Sequence, residues 1–483
     1  MFRMLLQEGG EEGGIRGGRM SEIAGIVKRG SEILRTIEKI GKYSEIELEG
    51  LTKLSGEIQG HTILSFLDKR LGGAGLHFLK DILSKHVNEA IKAKEEGKKV
   101  ILIPFNFPPE LIHAFENAVP LTTEMMSTMG SLALEGGGEP YWDYAMSLGI
   151  PDYVCSANTT LLSSMLTALK GLEIAPDAMI SSCPGACDAN SKIHEFVAET
   201  LKVPEFMLDK MGDGVADYEL YRRLFLNMVK ELEEFVGEEI DEDRILKVME
   251  NCNECTELYW ELHELKKHSP CPVPNMFTML SCGTRFTMWG RDEAVSMFEK
   301  LVDVAEKRLK RGEYPAEREI ARSLWVYTGY YIDLYDLWIW MEDNGITYLT
   351  DILNSGGFPQ IYDAFTKEDA LEAIIKTSWD YGMTRQMGAE NMGLRWTEDF
   401  IFLAEDLNAN CAIYCGHHAC KQSQAVFRIL RDGMTRKGIP VLKLDGDCWN
   451  RRITPVSVLQ EMILDFVQNV VAGRRRRRRE NRR

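Results

Sequence analysis

The chain has 483 residues, of which 45% are hydrophobic and 27% charged, a composition typical of globular proteins and not of disordered or fibrous ones. Its length exceeds that of a usual single core, so two or three domains are expected. The net charge is −17, yet residues 474–483 contain eight Arg and one Glu, or +7, which leaves −24 on the rest. An acidic body of this kind predicts no nucleic-acid-binding surface.

Targeting signals and cysteine usage narrow the class further. No run of about 18 uncharged apolar residues is present, so no membrane-spanning helix is predicted. Residues 1–19 are rich in Gly and Glu and lack the apolar core of a signal peptide, which favours a cytoplasmic protein. The 11 cysteines are odd in number and, under reducing conditions, favour metal or redox chemistry over disulfides.

The N-terminal fifth of the chain is predicted to be helical after an irregular start. Residues 1–19 show no periodicity and are interpreted as a disordered extension, with the ordered chain beginning near Met20. Apolar residues recur three and four apart over 23–40 and again over 76–93. This spacing predicts a helical N-terminal layer that spans 20–98.

Residues 99–210 show the alternation of strands and helices that is typical of a parallel sheet. A short apolar run before Pro104 and a second one at 119–121 flank a helical segment, which is a βαβ pattern. Two further strand-like runs end at Cys155 and Cys183, and a helical segment follows each of them. We therefore predict a first α/β domain at 99–210.

The remaining chain repeats this pattern after an interruption. Residues 211–345 are predicted to form a helical middle section, 346–472 a second α/β domain with a strand at 411–415, and 473–483 an Arg-rich solubilising tail. The predicted fold class is α/β: two doubly wound (Rossmann/flavodoxin-like) parallel-sheet domains with a helical N-terminal layer and a helical middle insertion.

Several cysteines fall at one predicted edge of the sheets. Cys155, Cys183 and Cys415 end predicted strands, and Cys187 and Cys420 begin the helices that follow. Ligands of open α/β sheets bind at this edge, and the positive end of a helix dipole favours thiolates and anionic clusters. The pattern predicts a cysteine site assembled from both domains, for which an iron–sulfur cluster is favoured and zinc is the competing metal.

One Cys-x-x-Cys pair, Cys252 and Cys255, has the spacing of a zinc knuckle. It lies on a predicted helix and far in sequence from a second pair, which favours two helix-face cysteines over a pair of ligands. A non-catalytic, zinc-stabilised scaffold is nevertheless an alternative for the whole protein, because four-cysteine and mixed Cys/His sites use the same ligands.

Six segments follow one another in a characteristic order over residues 95–470. They are Pro108-Pro109-Glu110-Leu111-Ile112 with Ala114, Cys155-Ser156, Cys187-Asp188-Ala189, Gly283-Thr284-Arg285 after a helix and proline break, His417-His418-Ala419-Cys420-Lys421-Gln422, and Gly438-Ile439-Pro440-Val441-Leu442 with Asp445 and Asp447. In this order they resemble the 2-hydroxyacyl-CoA dehydratase and benzoyl-CoA reductase subunit family of oxygen-sensitive iron–sulfur proteins. The resemblance implies Cys155, Cys187 and Cys420 as ligands of a [4Fe–4S] cluster.

The resemblance also implies a reaction and partners. The chain would be the cluster-bearing subunit of an enzyme that passes one electron to a CoA thioester, as a dehydratase or a reductase. A separate ATP-dependent iron–sulfur activator would supply the electron, and a homologous second subunit or a second copy would complete a dimer. The sequence has no Walker-type phosphate loop, so this chain itself is expected to bind no nucleotide.

Individual roles follow from residue chemistry at the resembling positions. Glu110, at a predicted helix start, is the candidate carboxylate for acid–base work, and His417 or His418 is the candidate donor to the carbonyl oxygen or to a cluster sulfur. Arg285 is the candidate ligand of a CoA phosphate.

Doubled cysteines leave the cluster type open. Cys183 accompanies Cys187 and Cys415 accompanies Cys420, so two of the three ligand positions have a second candidate. Such doubling suits a homodimeric double-cubane reductase of small molecules, which is the main alternative to an acyl-CoA enzyme. The extra cysteines are equally interpreted as bystanders that bind no cluster. The sequence does not determine the acyl group.

Overall fold

The computed structural model describes residues 65–133, 138–184, 187–210, 212, 214–330, 333–355, 360–381 and 392–473. The predicted disordered extension (1–19), residues 20–64 of the predicted helical layer and residues 474–483 of the Arg-rich tail lie outside the described residues. Within the part of the chain that is described, no helix combines the length and apolarity needed to cross a membrane.

A helical layer and a first α/β unit make up the described residues before 211. The elements are α1 (Ala74–His77), a π-helical stretch (Phe78–Ser84), α2 (Lys85–Lys92), β1 (Lys99–Ile103), α3 (Pro109–His113), β2 (Ala118–Thr122), α4 (Thr123–Ala133), α5 (Glu139–Ser147), α6 (Ser156–Leu172), β3 (Ala178–Pro184), α7 (Asp188–Leu201) and β4 (Glu205–Lys210).

The first sheet is parallel throughout, with strand order β2-β1-β3-β4. β1 has the sequence Lys-Val-Ile-Leu-Ile, and its last four residues are buried, as expected for a strand covered by helices on both faces. The strand order reverses between β1 and β3, which opens a crevice at the carboxyl edge of the sheet. Helices α6 and α7 begin at that edge, because each runs antiparallel to the strand that follows it.

Four long helices form the middle of the chain: α8 (Val215–Val236), α9 (Glu242–Lys266), α10 (Phe277–Met288) and α11 (Asp292–Arg311). The side chain of Asp241 accepts a hydrogen bond from the backbone N–H of Arg244 and so caps the start of α9. Every residue of α10 is buried. This helix is therefore a core element, and one of its faces reaches the site described below.

The second α/β unit contains β5 (Ala321–Tyr327), a π-helical stretch (Leu334–Ile339), α12 (Trp340–Asp343), β6 (Ile346–Asp351), α13 (Ile352–Ser355), α14 (Lys367–Asp380), α15 (Met392–Asp406), β7 (Cys411–Cys415), α16 (Lys421–Arg436), β8 (Val441–Leu444), α17 (Val456–Asp465) and a final π-helical stretch (Phe466–Val471). Its parallel sheet has the order β6-β5-β7-β8, the same winding as the first sheet. The α/β prediction with two parallel sheets is confirmed.

The helical prediction for the middle section is wrong for residues 321–327. These residues form β5, a central strand of the second sheet, and all seven are buried. The apolar part of this segment, 324–327, is too short for a periodicity that separates a buried strand from a buried helix, so the sequence pattern was ambiguous here. In the structure the Trp325 ring stacks on Tyr348 of β6 with a centroid distance of 5.0 Å.

Candidate functional site

A cavity of about 550 Å³ lies where the carboxyl edges of the two sheets meet. The first unit contributes the segments after β1, β2 and β3 together with the start of α6, and the second contributes the segments after β5, β7 and β8. Cys155, Cys187 and Cys420 all line this cavity. The structure thus brings together three side chains that are up to 265 residues apart in sequence.

Each of these three cysteines immediately precedes a helix. Cys155 is the N-cap residue of α6, Cys187 that of α7 and Cys420 that of α16. The positive ends of three helix dipoles therefore converge on the sulfur atoms and favour negative charge there. The predicted strand ending at Cys155 is wrong, because residues 152–154 form a turn before α6; the short apolar run resembled a strand.

Two side chains donate hydrogen bonds to these sulfur atoms. The Tyr327 hydroxyl lies 3.7 Å from Cys420 Sγ, and Asn158 Nδ2 lies 4.0 Å from Cys187 Sγ. Donors of this kind stabilise charge on a metal-bound sulfur and tune its potential. Neither residue was identified from the sequence. The sequence signal for Asn158 is its position about one helical turn after Cys155, which places it at the same end of the helix.

Tyr327 has an unusual backbone conformation. Its φ of 88° lies in the left-handed region, where a residue with a side chain is strained by about 1–3 kcal/mol. Its ring stacks on Trp396 with a centroid distance of 5.5 Å. It also packs edge-to-face with the His417 ring, at a centroid distance of 5.4 Å. This packing holds the strained residue at the end of β5 with its hydroxyl directed at Cys420.

The electrostatics of the three thiols fit a cationic group. Burial raises the pKa of Cys155 well above its usual value, and the neighbouring Cys420 and Cys187 raise it further. Three thiolates are stable in such a place only beside compensating positive charge, which an iron–sulfur cluster provides through its iron ions. Among the described residues, no three His, Cys, Asp or Glu side chains lie close enough to bind one metal ion. Three cysteine thiols on one cavity are the donor set that a [4Fe–4S] cluster uses, so the residues present fit such a cluster.

Asp447 connects the segments that carry two of the cysteines. Its carboxylate accepts hydrogen bonds from the Ser156 hydroxyl and from the backbone N–H of His418 at 2.9 Å. It also accepts the backbone N–H groups of Trp449 at 2.9 Å and Asn450 at 3.0 Å within its own loop. One buried carboxylate therefore fixes the start of α6 relative to the loop before α16.

Glu124 is a carboxylate of the cavity wall that sequence reasoning missed. It accepts hydrogen bonds from the backbone N–H of Phe105 at 2.8 Å, from Thr123 Oγ1 at 2.7 Å and from Asn190 Nδ2 at 3.1 Å. Burial raises its pKa, and these hydrogen bonds oppose that shift. Asn190 also donates to Asn158 at 3.0 Å, so the network continues to the donor of Cys187.

Glu110 and Arg285 lie outside this cavity, in what we call the Glu110–Arg285 pocket. Both line two small cavities of about 10 Å³ each. Burial raises the pKa of Glu110 to about 7, although Arg285 lowers it. The Arg285 guanidinium lies 4.4 Å from the centre of the Tyr381 ring and 5.4 Å from that of Trp289. The catalytic role of Glu110 and the CoA role of Arg285 stay predictions.

The two predicted histidines differ in position. His417 lines the cavity and is 5% exposed; burial lowers its pKa, but the Cys448 thiol beside it and Asp447 raise the pKa, with a net increase. His418 is exposed and contributes its backbone N–H to Asp447. Only His417 is therefore placed to meet a ligand in the cavity through its ring.

Of the two doubled cysteine candidates, the described one, Cys415, does not line the cavity. The Cys415 thiol donates to the backbone carbonyl of Thr328, whose Oγ1 lies 3.5 Å from Cys448 Sγ. Cys183 is part of β3, but its side chain lies outside what the structure describes. Cys252 and Cys255 are buried within α9 and likewise do not line the cavity.

Comparison with known proteins gives a consistent family. A family model described as 2-hydroxyglutaryl-CoA dehydratase, D-component, matches residues 104–469. The (R)-phenyllactyl-CoA dehydratase alpha subunit of Clostridium sporogenes is 24% identical over 387 residues, which cover 77% of this chain and 89% of that protein. The residues matched by the family model, 104–469, include all three cysteines of the cavity.

Two further relatives match over shorter stretches. The (R)-2-hydroxyglutaryl-CoA dehydratase subunit alpha of Acidaminococcus fermentans is 22% identical over 279 residues, 56% of each protein. The (R)-2-hydroxyisocaproyl-CoA dehydratase alpha subunit of Clostridioides difficile is 24% identical over 269 residues, which cover 52% of this chain and 64% of that protein.

Proposed function

Because the chain belongs to the 2-hydroxyglutaryl-CoA dehydratase D-component family, we propose that it is the cluster-bearing subunit of a 2-hydroxyacyl-CoA dehydratase. The proposed reaction removes water from a 2-hydroxyacyl-CoA thioester: one electron is added to the thioester transiently and is given back after the hydroxyl group and a proton have left, so the reaction is redox-neutral overall. The observation that carries this proposal is the convergence of Cys155, Cys187 and Cys420, each at the start of a helix, on one cavity. A benzoyl-CoA-type reductase would use the same cysteines, but the relatives compared above are all named dehydratases.

The three cysteines are the proposed ligands of a [4Fe–4S] cluster. When bound, such a cluster would supply one electron at low potential and, at the iron without a cysteine ligand, a Lewis acid for the thioester carbonyl. The chain's own contribution is to hold the sulfur atoms at three helix N-termini and to hydrogen-bond two of them through Tyr327 and Asn158. Both effects stabilise the negative charge of the thiolates.

Glu124 is the proposed proton acceptor. Dehydration removes the hydroxyl group from C2 and a proton from C3, so a base must stand near the bound acyl group. Glu124 lines the cavity, and hydrogen bonds from Phe105, Thr123 and Asn190 fix its orientation. Burial raises the pKa of this carboxylate, which makes it a stronger base than an exposed one. His417, on the same wall, is the proposed donor to an oxygen of the substrate.

Partners follow from the same proposal. The relatives are named alpha subunits, so we propose a second, homologous subunit for this chain. The electron would come from a separate ATP-dependent iron–sulfur activator. An oxygen-sensitive cluster suits the reducing cytoplasm, which is the proposed location.

Substitution of two cysteines, one a proposed ligand and one a control, tests the cluster directly. After anaerobic purification, the chain should contain about four iron ions and as much acid-labile sulfide. Cys187→Ser should lose most of this iron, whereas Cys252→Ser, a matched change of a buried cysteine on α9, should retain it. Zinc without sulfide in the anaerobic protein, or iron loss only in Cys252→Ser, would contradict the proposal.

The double-cubane reductase is less well supported. A second cluster needs several further thiols on the same cavity. Among the described cysteines Cys282 of α10 also lines it, whereas Cys415 donates to Thr328 and lies beside Cys448. About eight iron ions per chain would favour this alternative. The measurement is the same iron and sulfide analysis.

A further inference from the structure

The cavity extends away from the cysteines along two helices. On α6 the lining residues run from Cys155 to Leu161, and on α7 from Cys187 to Phe196. With a rise of about 1.5 Å per residue, these stretches are roughly 9 and 13 Å long. The space is therefore long enough for an acyl chain whose thioester carbonyl lies at the cysteines and whose far end lies between the helices.

The wall beyond the cysteines is apolar. Its buried members on α4, α6, α7 and α10 are between 1% and 6% exposed, and they are Met125, Leu161, Ile193, Met279 and Phe286. Ser127 and Asn158 add neutral polar groups to the same helices. This wall can contact an aryl or branched-alkyl group over most of its surface.

The basic residues of the described lining lie at the solvent rim or at the cysteine end. Lys192 is exposed and pairs with Glu195 at 2.7 Å. Lys421 is exposed, and its Nζ lies 6.0 Å from the centre of the exposed Tyr153 ring. His417 packs against Tyr327, the donor of Cys420.

The carboxylate of the described wall is Glu124, and three donors already hydrogen-bond to it. The backbone N–H of Phe105, the Thr123 hydroxyl and the Asn190 amide donate to it. A substrate carboxylate placed between the helices would therefore lose its hydration without meeting a buried Lys or Arg among the described lining residues, and it would lie near a like charge. Burying an unpaired carboxylate is far more costly than burying an alkyl or aryl group of similar size.

We infer that this chain selects 2-hydroxyacyl-CoA thioesters with an uncharged aryl or branched-alkyl side chain and rejects those that carry a second carboxylate. The inference rests on the proposed function and deepens it. It assigns the selection to Leu161 and Ile193 on the helices that start at the cysteines and to Met279 and Phe286 on α10.

Binding of two unsaturated product thioesters tests the inference. The anaerobically purified full chain, with any partner subunit that copurifies, is titrated with cinnamoyl-CoA and with glutaconyl-CoA by calorimetry. The two share the CoA moiety and differ in the acyl end. We expect cinnamoyl-CoA to bind at least about 100-fold more tightly than glutaconyl-CoA. Equal or tighter binding of glutaconyl-CoA would overturn the inference and leave the proposed acyl-CoA function standing. If neither binds, both fail.

A charge introduced into the wall provides the second test. In Met279→Arg the ratio of the affinity for cinnamoyl-CoA to that for glutaconyl-CoA should fall at least about 10-fold, because the guanidinium pairs with the distal carboxylate of glutaconyl-CoA. Met279→Gln is the matched control of similar length without charge, and it should not favour glutaconyl-CoA. Circular dichroism and iron content verify that each variant folds. The wild-type binding ratio decides the inference even where a variant does not fold.

Discussion

The cysteine cavity and the Glu110–Arg285 pocket both bury ionisable side chains, and burial raises pKa values in both. They differ in volume and in the number of helix N-termini that point into them. The cysteine cavity encloses about 550 Å³ and receives three helix N-termini, whereas the pocket consists of two voids of about 10 Å³, each large enough for about one water molecule. A raised pKa therefore marks burial in both regions, and only the cavity adds room for a substrate.

The partners of the buried groups differ in the same way. In the cavity, Tyr327 and Asn158 donate to sulfur atoms that would carry negative charge. In the pocket, the cation of Arg285 faces the Tyr381 ring, and its Nη1 has no hydrogen-bond partner in the part of the chain that is described. The cavity is thus arranged to stabilise a charged group, while the pocket tolerates one within the core.

The largest expected effect is the loss of Cys420. Cys420→Ser replaces a soft thiolate by a hydroxyl at the start of α16, so bound iron, the visible absorption of the cluster and dehydratase activity should all be lost. Cys255→Ser is the control, a buried cysteine away from the cavity, and it should keep all three. A Cys420→Ser protein with full iron content would remove Cys420 from the ligand set.

A smaller effect is expected for the sulfur hydrogen bond. Tyr327→Phe keeps the stacking on Trp396 but removes the hydroxyl that donates to Cys420, so we expect iron to remain while activity falls about 10-fold. The reduction potential should shift to a more negative value, because the reduced cluster loses stabilisation. An unchanged potential, measured by redox titration, would mean that the hydroxyl only packs.

The pocket should respond to pH through Glu110. Its pKa of about 7 lies above its ordinary value of 4.5, so the folded state favours the protonated form. This contribution to stability is complete below about pH 4.5 and is lost as pH rises through 7. When the pH is raised from 5.5 to 8, the free energy of unfolding of Glu110→Gln should therefore increase by about 2 kcal/mol relative to that of the wild-type protein.

Thermal and denaturant unfolding at the two pH values measure this change. Glu254→Gln, on the exposed face of α9, is the control and should show no such pH-dependent gain. A Glu110→Gln protein that keeps its fold and iron but loses activity would support the catalytic role predicted from the sequence. A stability gain that is the same at both pH values would contradict the titration of Glu110.

The smallest expected effect is on stability, and it compares the loss of a tyrosine hydroxyl that has a hydrogen-bond partner with the loss of one that has none among the described residues. Within the residues that the structure describes, the Tyr381 hydroxyl has no hydrogen-bond partner, so Tyr381→Phe should change stability by less than about 0.5 kcal/mol. The Tyr221 hydroxyl lies 2.6 Å from Ser378 Oγ, and Tyr221→Phe should cost about 1 kcal/mol. Equal losses in the two variants would indicate that Tyr381 has a partner, such as bound water.

The α/β class was predictable from the sequence because parallel strands buried on both faces appear as short apolar runs separated by helical periodicity. β1 and β7 were found in this way. β5 was not, since its seven residues lie next to a long helical region and carry no alternation. The turn before Cys155 was predicted as a strand for the related reason that four residues are too few to show a period.

The site was predictable only in part. Cys155, Cys187 and Cys420 are marked in the sequence by their position before helices, and this local property does not depend on the rest of the fold. Glu124, Tyr327 and Asp447 act through contacts with residues far away in the chain, such as Asn190 and Cys420. No local spacing encodes such contacts.

By itself, the sequence determined the class of the fold, the family resemblance and the three cysteines, because these depend on local order along the chain. Only the tertiary structure decided that the three sulfur atoms share one cavity, that Glu110 and Arg285 lie in a separate pocket and that an apolar wall extends from the cysteines. The physical reason is that volume, burial and convergent charge arise from the packing of two sheets and α10 against one another. They are properties of the folded surface and not of any single segment.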